Sequence, residues 1–198
     1  MTTKKVGIIG FGEMGKRHAK DIAQFSNGEI EVAGVIEPSD ASYRAGCEWT
    51  GREPQRFASA ADMRAKINLD GIIIATPNYL HWKYLSEFAG DSIPIILEKP
   101  LDTDIDKVRR IVRFAETYRG AIMVHHVMRY APIILKAREL IDAGAIGRIA
   151  GFTFVQFIHG GMFHNFRRTF KNGGGQLLEK ATHDFDVLLF LTGSMPAR

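Results

Sequence analysis

Cysteine is nearly absent: Cys47 is the only one in 198 residues, which excludes an intramolecular disulfide framework. Apolar runs long enough to cross a bilayer are missing too, and Met1 to Lys5 leads into the first apolar run without a signal-peptide core or cleavage site. These absences set the expectation of a reducing, cytoplasmic setting and no membrane partner. Blocks of one charge are also lacking. The net charge of +4 comes from dispersed pairs such as Lys16-Arg17, Arg109-Arg110 and Arg167-Arg168, with acids between them. A nucleic-acid-binding tail needs a block, so no nucleic acid is expected, and attraction for an anionic cofactor accounts for the excess. Repeats and low-complexity segments are absent. What is present is a 45% hydrophobic chain, long enough to bury a real core as one domain or two.

The most informative segment is Gly10-Phe11-Gly12-Glu13-Met14-Gly15, which follows the apolar run Val6-Gly7-Ile8-Ile9 and precedes a helix expected over 16–25. A strand, a glycine turn and a helix start in this order suit a dinucleotide. The first glycine makes the tight turn, the second lets backbone N–H groups approach a pyrophosphate, and the third lets helix and strand pack closely. The helix amino terminus turns its positive dipole end toward the phosphates. A second apolar run, 30–36, then delivers Glu37, 22 residues beyond Gly15. Its carboxylate can accept both ribose hydroxyls of an adenosine and repels a 2′-phosphate, so NAD is expected rather than NADP. In the competing reading the glycines only shape a tight turn and Glu37 is a solvated acid before Pro38; methyltransferases share part of the pattern. The full order of strand, turn, helix, strand and acid favours the dinucleotide.

Short apolar runs at 6–10, 30–36, 71–75, 93–97 and 121–124 alternate with helical stretches at 40–50, 79–89 and 104–118, with a short extra strand at Arg56-Phe57. This alternation predicts an α/β doubly wound parallel sheet over 1–124, apolar on both faces because helices cover both. Beyond it the pattern changes. A helix over 132–143 precedes a long strand at 149–158, where Phe152, Phe154, Gln156 and Ile158 alternate, then a glycine-rich, basic loop at 160–175 and a helix over 176–191 capped by Gly193. Residues 125–198 therefore read as a partial α+β second domain.

Parallel α/β sheets bind ligands outside the carboxyl ends of their strands. Thr76, Pro77 and Asn78 follow one such strand with His81 a turn later; Glu98, Lys99 and Pro100 follow the next, and His125-His126 follow the last. We take Thr76, Pro77, Asn78, His81 and Glu98 as further cofactor contacts. Pro100 biases Lys99 toward extended backbone, which holds its side chain over the strand ends; an ordinary exposed lysine is the alternative. On the last helix Glu179, His183 and Asp186 sit at i, i+4 and i+7 and share one face. An imidazole flanked by carboxylates suits proton transfer near neutrality, although a structural histidine satisfied by its neighbours explains the same pattern. None of these residues is read as a metal ligand.

Five ordered segments, VGIIGFGEMGKRHA, IATPNYLH, ILEKP, VMRYAP and GGGQLLEKATHDFDVLLFLTG, resemble the Gfo/Idh/MocA (glucose-fructose oxidoreductase and inositol dehydrogenase) family over the whole chain. The resemblance implies a Rossmann domain that binds NAD, a lysine–proline bond that is often cis, and a catalytic set of Lys99, Glu179 and His183. Implied too is hydride transfer between nicotinamide and a sugar, polyol or related hydroxy compound, with His183 as acid/base and Lys99 assisting. Two other functions stand beside it: a dinucleotide-binding module without turnover, and a glycosidase that works by transient oxidation of its sugar. The family commonly has aspartate where Glu179 stands. Its second domain is a large open sheet reaching well beyond Gly193, so this chain is expected to be a fragment, a truncated product or a chain completed by a partner. A homo-oligomer is expected if that domain is complete. Roles for His126, Arg129, Tyr130 and Arg167 are left open.

Overall fold

The computed structural model describes residues 2–155 and 169–195, and the chain divides into two compact units, Met1–His125 and His126–Arg198. In the first, β1 (Lys4–Ile9), β2 (Ile30–Ile36), β3 (Gln55–Phe57), β4 (Gly71–Ile74), β5 (Ile95–Leu97) and β6 (Ile122–Val124) form one sheet. Its order is β3-β2-β1-β4-β5-β6 with every pairing parallel, the doubly wound arrangement in which winding reverses between β1 and β4. Helices α1 (Glu13–Phe25), α2 (Asp40–Thr50), α3 (Ala60–Lys66), α4 (His81–Ser86) and α5 (Ile105–Thr117) make the crossovers. β5 begins two residues later than the apolar run because Pro94 has no N–H for the ladder. The helix expected over 79–89 is a 3-10 turn, Asn78–Leu80, followed by the shorter α4.

Neighbouring residues of a strand point to opposite faces, so each strand feeds two cores. Ile8, Val35 and Ile73 pack with Phe11 and Ala19 on one face. Ile9, Ile72, Ile74 and Leu97 pack with Met63, Leu85, Phe88 and Ile111 on the other. Three crossover helices start at side-chain caps, Ser39, Ser59 and Asp104, whose oxygens accept from Ser42 N, Asp62 N and Asp106 N.

The glycine turn works by proximity. Gly10 has φ of +90°, and a Cβ there would meet the Ala75–Thr76 backbone at 2.8 Å, where β1 and β4 leave the sheet side by side. A Cβ on Gly15 would lie 1.9 Å from the Gly10 carbonyl oxygen, so α1 approaches β1 closely only because no side chain intervenes.

The second unit is helical among its described residues: a 3-10 turn at Val127–Tyr130, α6 (Pro132–Asp142), α7 (Phe170–Gly173), α8 (Gly175–Glu179) and α9 (Ala181–Thr192). Ile134, Val187 and Leu191 form its core. Two expectations need correction here. Residues 149–155 are not a strand: Phe152 and Phe154 do stack side by side at 6.2 Å, as alternation requires, but no described segment offers the ladder that makes an extended segment a strand. Residues 156–158 and 160–168 of the loop expected over 160–175, with Arg167, lie outside the described residues; the described remainder of that loop holds a helix, α7, started by the Thr169 side chain accepting from Asn172 N. The helix expected over 176–191 is two helices, α8 and α9, separated at Lys180. Its terminator is as expected, since Gly193 adopts the left-handed conformation at φ of +63°.

Gly15→Ala should destabilise the chain by at least about 2 kcal/mol, because the methyl meets rigid backbone. Gly12→Ala, where a Cβ meets nothing within 4 Å, should cost under about 1 kcal/mol. Urea unfolding of the two variants checks the contrast, and equal costs would refute this account of the turn.

Candidate functional site

The carboxyl ends of the strands bring the predicted segments of the first unit to one edge of the sheet. Gly12 is the N-cap of α1 and supplies no side-chain acceptor, and the space a Cβ would fill beside it is open. With no side-chain acceptor capping it, the positive end of α1 stands open beside the glycine turn, so the cradle fits a pyrophosphate. Glu13 is exposed and Met14 half-buried, whereas the Phe11 ring is fully buried in the core. Phe11 therefore presents only backbone, and its N–H donates to Glu37 Oε2 at 2.9 Å.

Glu37 caps the end of β2. Its Oε1 accepts from Ser39 N at 2.9 Å, yet each carboxylate oxygen has a second lone-pair site, which leaves acceptors for ribose hydroxyls. Each nitrogen of the nearby Arg56 guanidinium has a partner. Its Nε donates to Glu37 O at 2.7 Å, its Nη2 to Pro38 O at 2.9 Å, and its Nη1 pairs with Asp40, whose carboxyl the Arg56 hydrogen bond holds below the usual range. A 2′-phosphate would find this guanidinium taken and Glu37 repelling it.

At the end of β4, Asn78 is buried and its Oδ1 accepts from Tyr79 N. Thr76 Oγ1 and Asn78 Nδ2 are buried without a hydrogen-bond partner among the described residues, a cost that a ligand or water at this edge would relieve. His81 plays a different part from the one expected. It is 1% exposed, and both ring nitrogens face main-chain carbonyls, Thr76 O (3.0 Å from Nε2) and Leu101 O (3.1 Å from Nδ1); the neutral ring donates to one of the two, and neither nitrogen is open to a cofactor. Burial pushes its pKa below the ordinary histidine value, against the pull of the two carbonyls.

Glu98 is buried as well, and its Oε1 accepts from His18 Nε2 and His125 Nδ1, both at 2.8 Å. Burial alone would raise its pKa, but the hydrogen bonds and charges of His125 and His18 outweigh burial and hold it down at about 2. The half-buried Lys99 follows directly, and its peptide bond to Pro100 is cis. His18 had no role assigned from sequence. Its only signal is its place one turn beyond Gly15 in α1.

The second unit holds Glu179, His183 and Asp186. Glu179 is buried at the end of α8, while His183 lies in the first turn of α9, so the two do not share one continuous helix. Asp186 is buried and answered by Arg129, whose Nε and Nη2 reach its two oxygens at 2.8 and 2.6 Å. That hydrogen bond raises the Arg129 pKa. His126 Nε2 lies 3.8 Å from Asp186 Oδ1, and the His126 ring meets the His183 ring edge-on at 6.4 Å between centroids.

A doubly wound sheet, a glycine cradle and an acid at the end of β2 define an NAD-binding Rossmann domain. The chain belongs to the Gfo/Idh/MocA oxidoreductase family: the model of its NAD-binding Rossmann fold matches residues 4–126, and that of a GFO/IDH/MocA C-terminal domain matches residues 134–198. Over 196 residues the chain is 30% identical to the rhizopine catabolism protein MocA of Rhizobium meliloti, covering 99% of this chain and 59% of that one. It is 29% identical over 199 residues to an inositol 2-dehydrogenase of Rhizobium meliloti (strain 1021), covering 98% and 56%. A solved structure of the WlbA dehydrogenase from Bordetella pertussis, in complex with NADH and UDP-GlcNAcA, superposes with a TM-score of 0.77 at 25% identity, over 96% of this chain and 55% of that one. The chain thus spans a little over half the length of the curated relatives it matches. Among the described residues no helix is long and apolar enough to cross a membrane.

Two acid effects follow from the buried groups. Because the folded pKa of His81 lies below the ordinary histidine value of 6.5, the unfolded chain takes up a proton that the folded chain refuses, and stability falls as pH drops below about 6.5. Glu98 contributes stability that is full above about 4.5 and lost as pH falls toward about 2. Urea titrations at about pH 7.5 and 5.5 should show a smaller loss for His81→Asn than for the parent chain; an equal loss would refute the assignment to His81.

Proposed function

We propose that this chain carries the cofactor site and part of the catalytic set of an NAD-dependent oxidoreductase acting on a sugar, polyol or related hydroxy compound. The observation that carries this reading is the position of Lys99 just beyond the carboxyl end of β5, on the same edge of the sheet as the glycine turn after β1 and Glu37 after β2. The dehydrogenases among the relatives give the substrate class: the named compounds, inositol and a nucleotide sugar acid, are rich in ring hydroxyls.

Gly10 to Gly15 would hold the pyrophosphate by backbone N–H groups, and Glu37 would accept the adenosine ribose hydroxyls. When bound, NAD accepts a hydride from a carbinol carbon. The imidazole of His183 would take the hydroxyl proton, and the Lys99 ammonium would donate a hydrogen bond to the oxygen as it gains negative charge. Glu179 would contact the substrate. Its extra methylene, relative to the family's usual aspartate, moves the carboxylate by about 1 Å and so selects among hydroxyl patterns. In reverse the same groups reduce a ketone.

Purified chain with NAD, assayed over a panel of inositols, sugars and nucleotide sugars, should form NADH with at least one of them. Lys99→Ala should lower kcat about 100-fold or more while leaving the NAD Kd within about threefold. NAD binding without turnover across the panel would replace this reading with a cofactor-binding module, and release of an aglycone without net NADH would replace it with glycoside cleavage by transient oxidation. Glu37→Ala should weaken NAD about 10-fold or more and narrow its advantage over NADP; unchanged affinities would remove Glu37 from the site.

A further inference from the structure

His18, Glu98 and His125 have no part in the hydride transfer outlined above. They come from α1, from the end of β5 and from the end of β6, so three separate elements carry them to one point. His18 Nε2, Glu98 Oε1 and His125 Nδ1 all lie within 4.8 Å of one another, and both nitrogens are 2.8 Å from the carboxylate oxygen. The two rings approach to 4.7 Å between centroids at a tilt of 55°, so that their nitrogens converge on the oxygen from two directions. The Glu98 side chain is 6% exposed, while those of His18 and His125 are 12% and 20% exposed, so the cluster is enclosed around the carboxylate and accessible on the imidazole side.

We propose that these three atoms bind one divalent cation of the zinc class, with water in a fourth position. Two imidazoles and a carboxylate form a donor set that zinc takes in sites with an open position, at about 2.0–2.2 Å from each ligand. Calcium and magnesium are poorer fits, because they call for more oxygen ligands than one carboxylate supplies. Glu98 is already ionised in its buried setting, so the cation meets a charge whose burial it offsets. Each imidazole binds as the neutral form: its proton resides on the outer ring nitrogen and its inner lone pair turns to the cation, replacing the hydrogen bond to Glu98. Protonation of either ring competes with the cation, so uptake weakens on acidification. The bound ion would tie α1 to the ends of β5 and β6, one residue from Lys99.

The test uses the full chain, stripped with a chelator and dialysed against zinc or magnesium chloride, with bound metal counted by mass spectrometry. One zinc per chain, taken up at micromolar free metal, and no comparable magnesium uptake support the site. His18→Gln and His125→Asn retain an amide N–H that can donate to Glu98 but are poor ligands, so each should weaken zinc about 10-fold or more while NAD binding reports an intact fold. No zinc uptake, or uptake that both variants leave within about threefold of the parent, overturns the proposal. Cobalt(II) added to the unaltered chain provides a reading free of substitution. The intense visible bands of a four-coordinate nitrogen and oxygen site support it, and the weak spectrum of the solvated ion overturns it.

Discussion

A carbonyl oxygen and an α-carbon set the geometry on which the first unit depends. The Gly10 oxygen lies where a Gly15 side chain would begin, and this contact determines how near α1 comes to β1. Close approach places Ala19 in the core beside Ile8 and Ile73. It also brings His18, one turn along the same helix, to the carboxylate of Glu98 at the end of β5. The phosphate cradle and the polar cluster behind it are thus two results of one packing distance. A methyl group at residue 15 would disturb both.

Polar groups then hold the strand ends in place. His81 joins the loop after β4 to the segment after Pro100, and Glu98 joins α1 to the ends of β5 and β6. Arg56 ties the end of β2 to α2 through two carbonyl oxygens and Asp40. Glu98 and Arg56 are answered by main chain or by an opposite charge, and the neutral His81 ring by one of the carbonyls it faces, which is what makes burial at a ligand-binding edge tolerable. Function at this edge therefore rests on residues that a ligand need not touch. His81 and the Glu98 cluster act on Lys99 and Asn78 through the backbone they hold.

Much of this was legible in the chain itself. Apolar runs bounded by turn residues marked five of the six strands to within about two residues, because a parallel sheet covered on both faces demands continuous hydrophobicity, and the short β3 falls where an extra strand was expected, at Arg56-Phe57. Gly193 announced a helix stop, since capping is local chemistry. Legibility failed where a feature depends on distant partners. The break at Lys180 has neither proline nor glycine to mark it. The alternation of Phe152 and Phe154 specifies an extended side-chain pattern, but a ladder needs a second segment that their own residues do not provide.

By itself, then, the sequence determined the class of sheet, the phosphate turn and the acid at the end of β2, because each is set by residues within a short span. Tertiary structure decided the rest of the polar arrangement. Asp186 reads as a partner of His183 on a shared helix face, yet it is claimed by Arg129, 57 residues away, because a bidentate guanidinium satisfies a buried carboxylate more completely than one imidazole can. Glu98 reads as a strand-end cofactor contact, yet it is claimed by His18 from 80 residues away and by His125 from 27. A buried charge takes whichever partners the packing of strands and helices brings within reach, and sequence spacing does not record that packing.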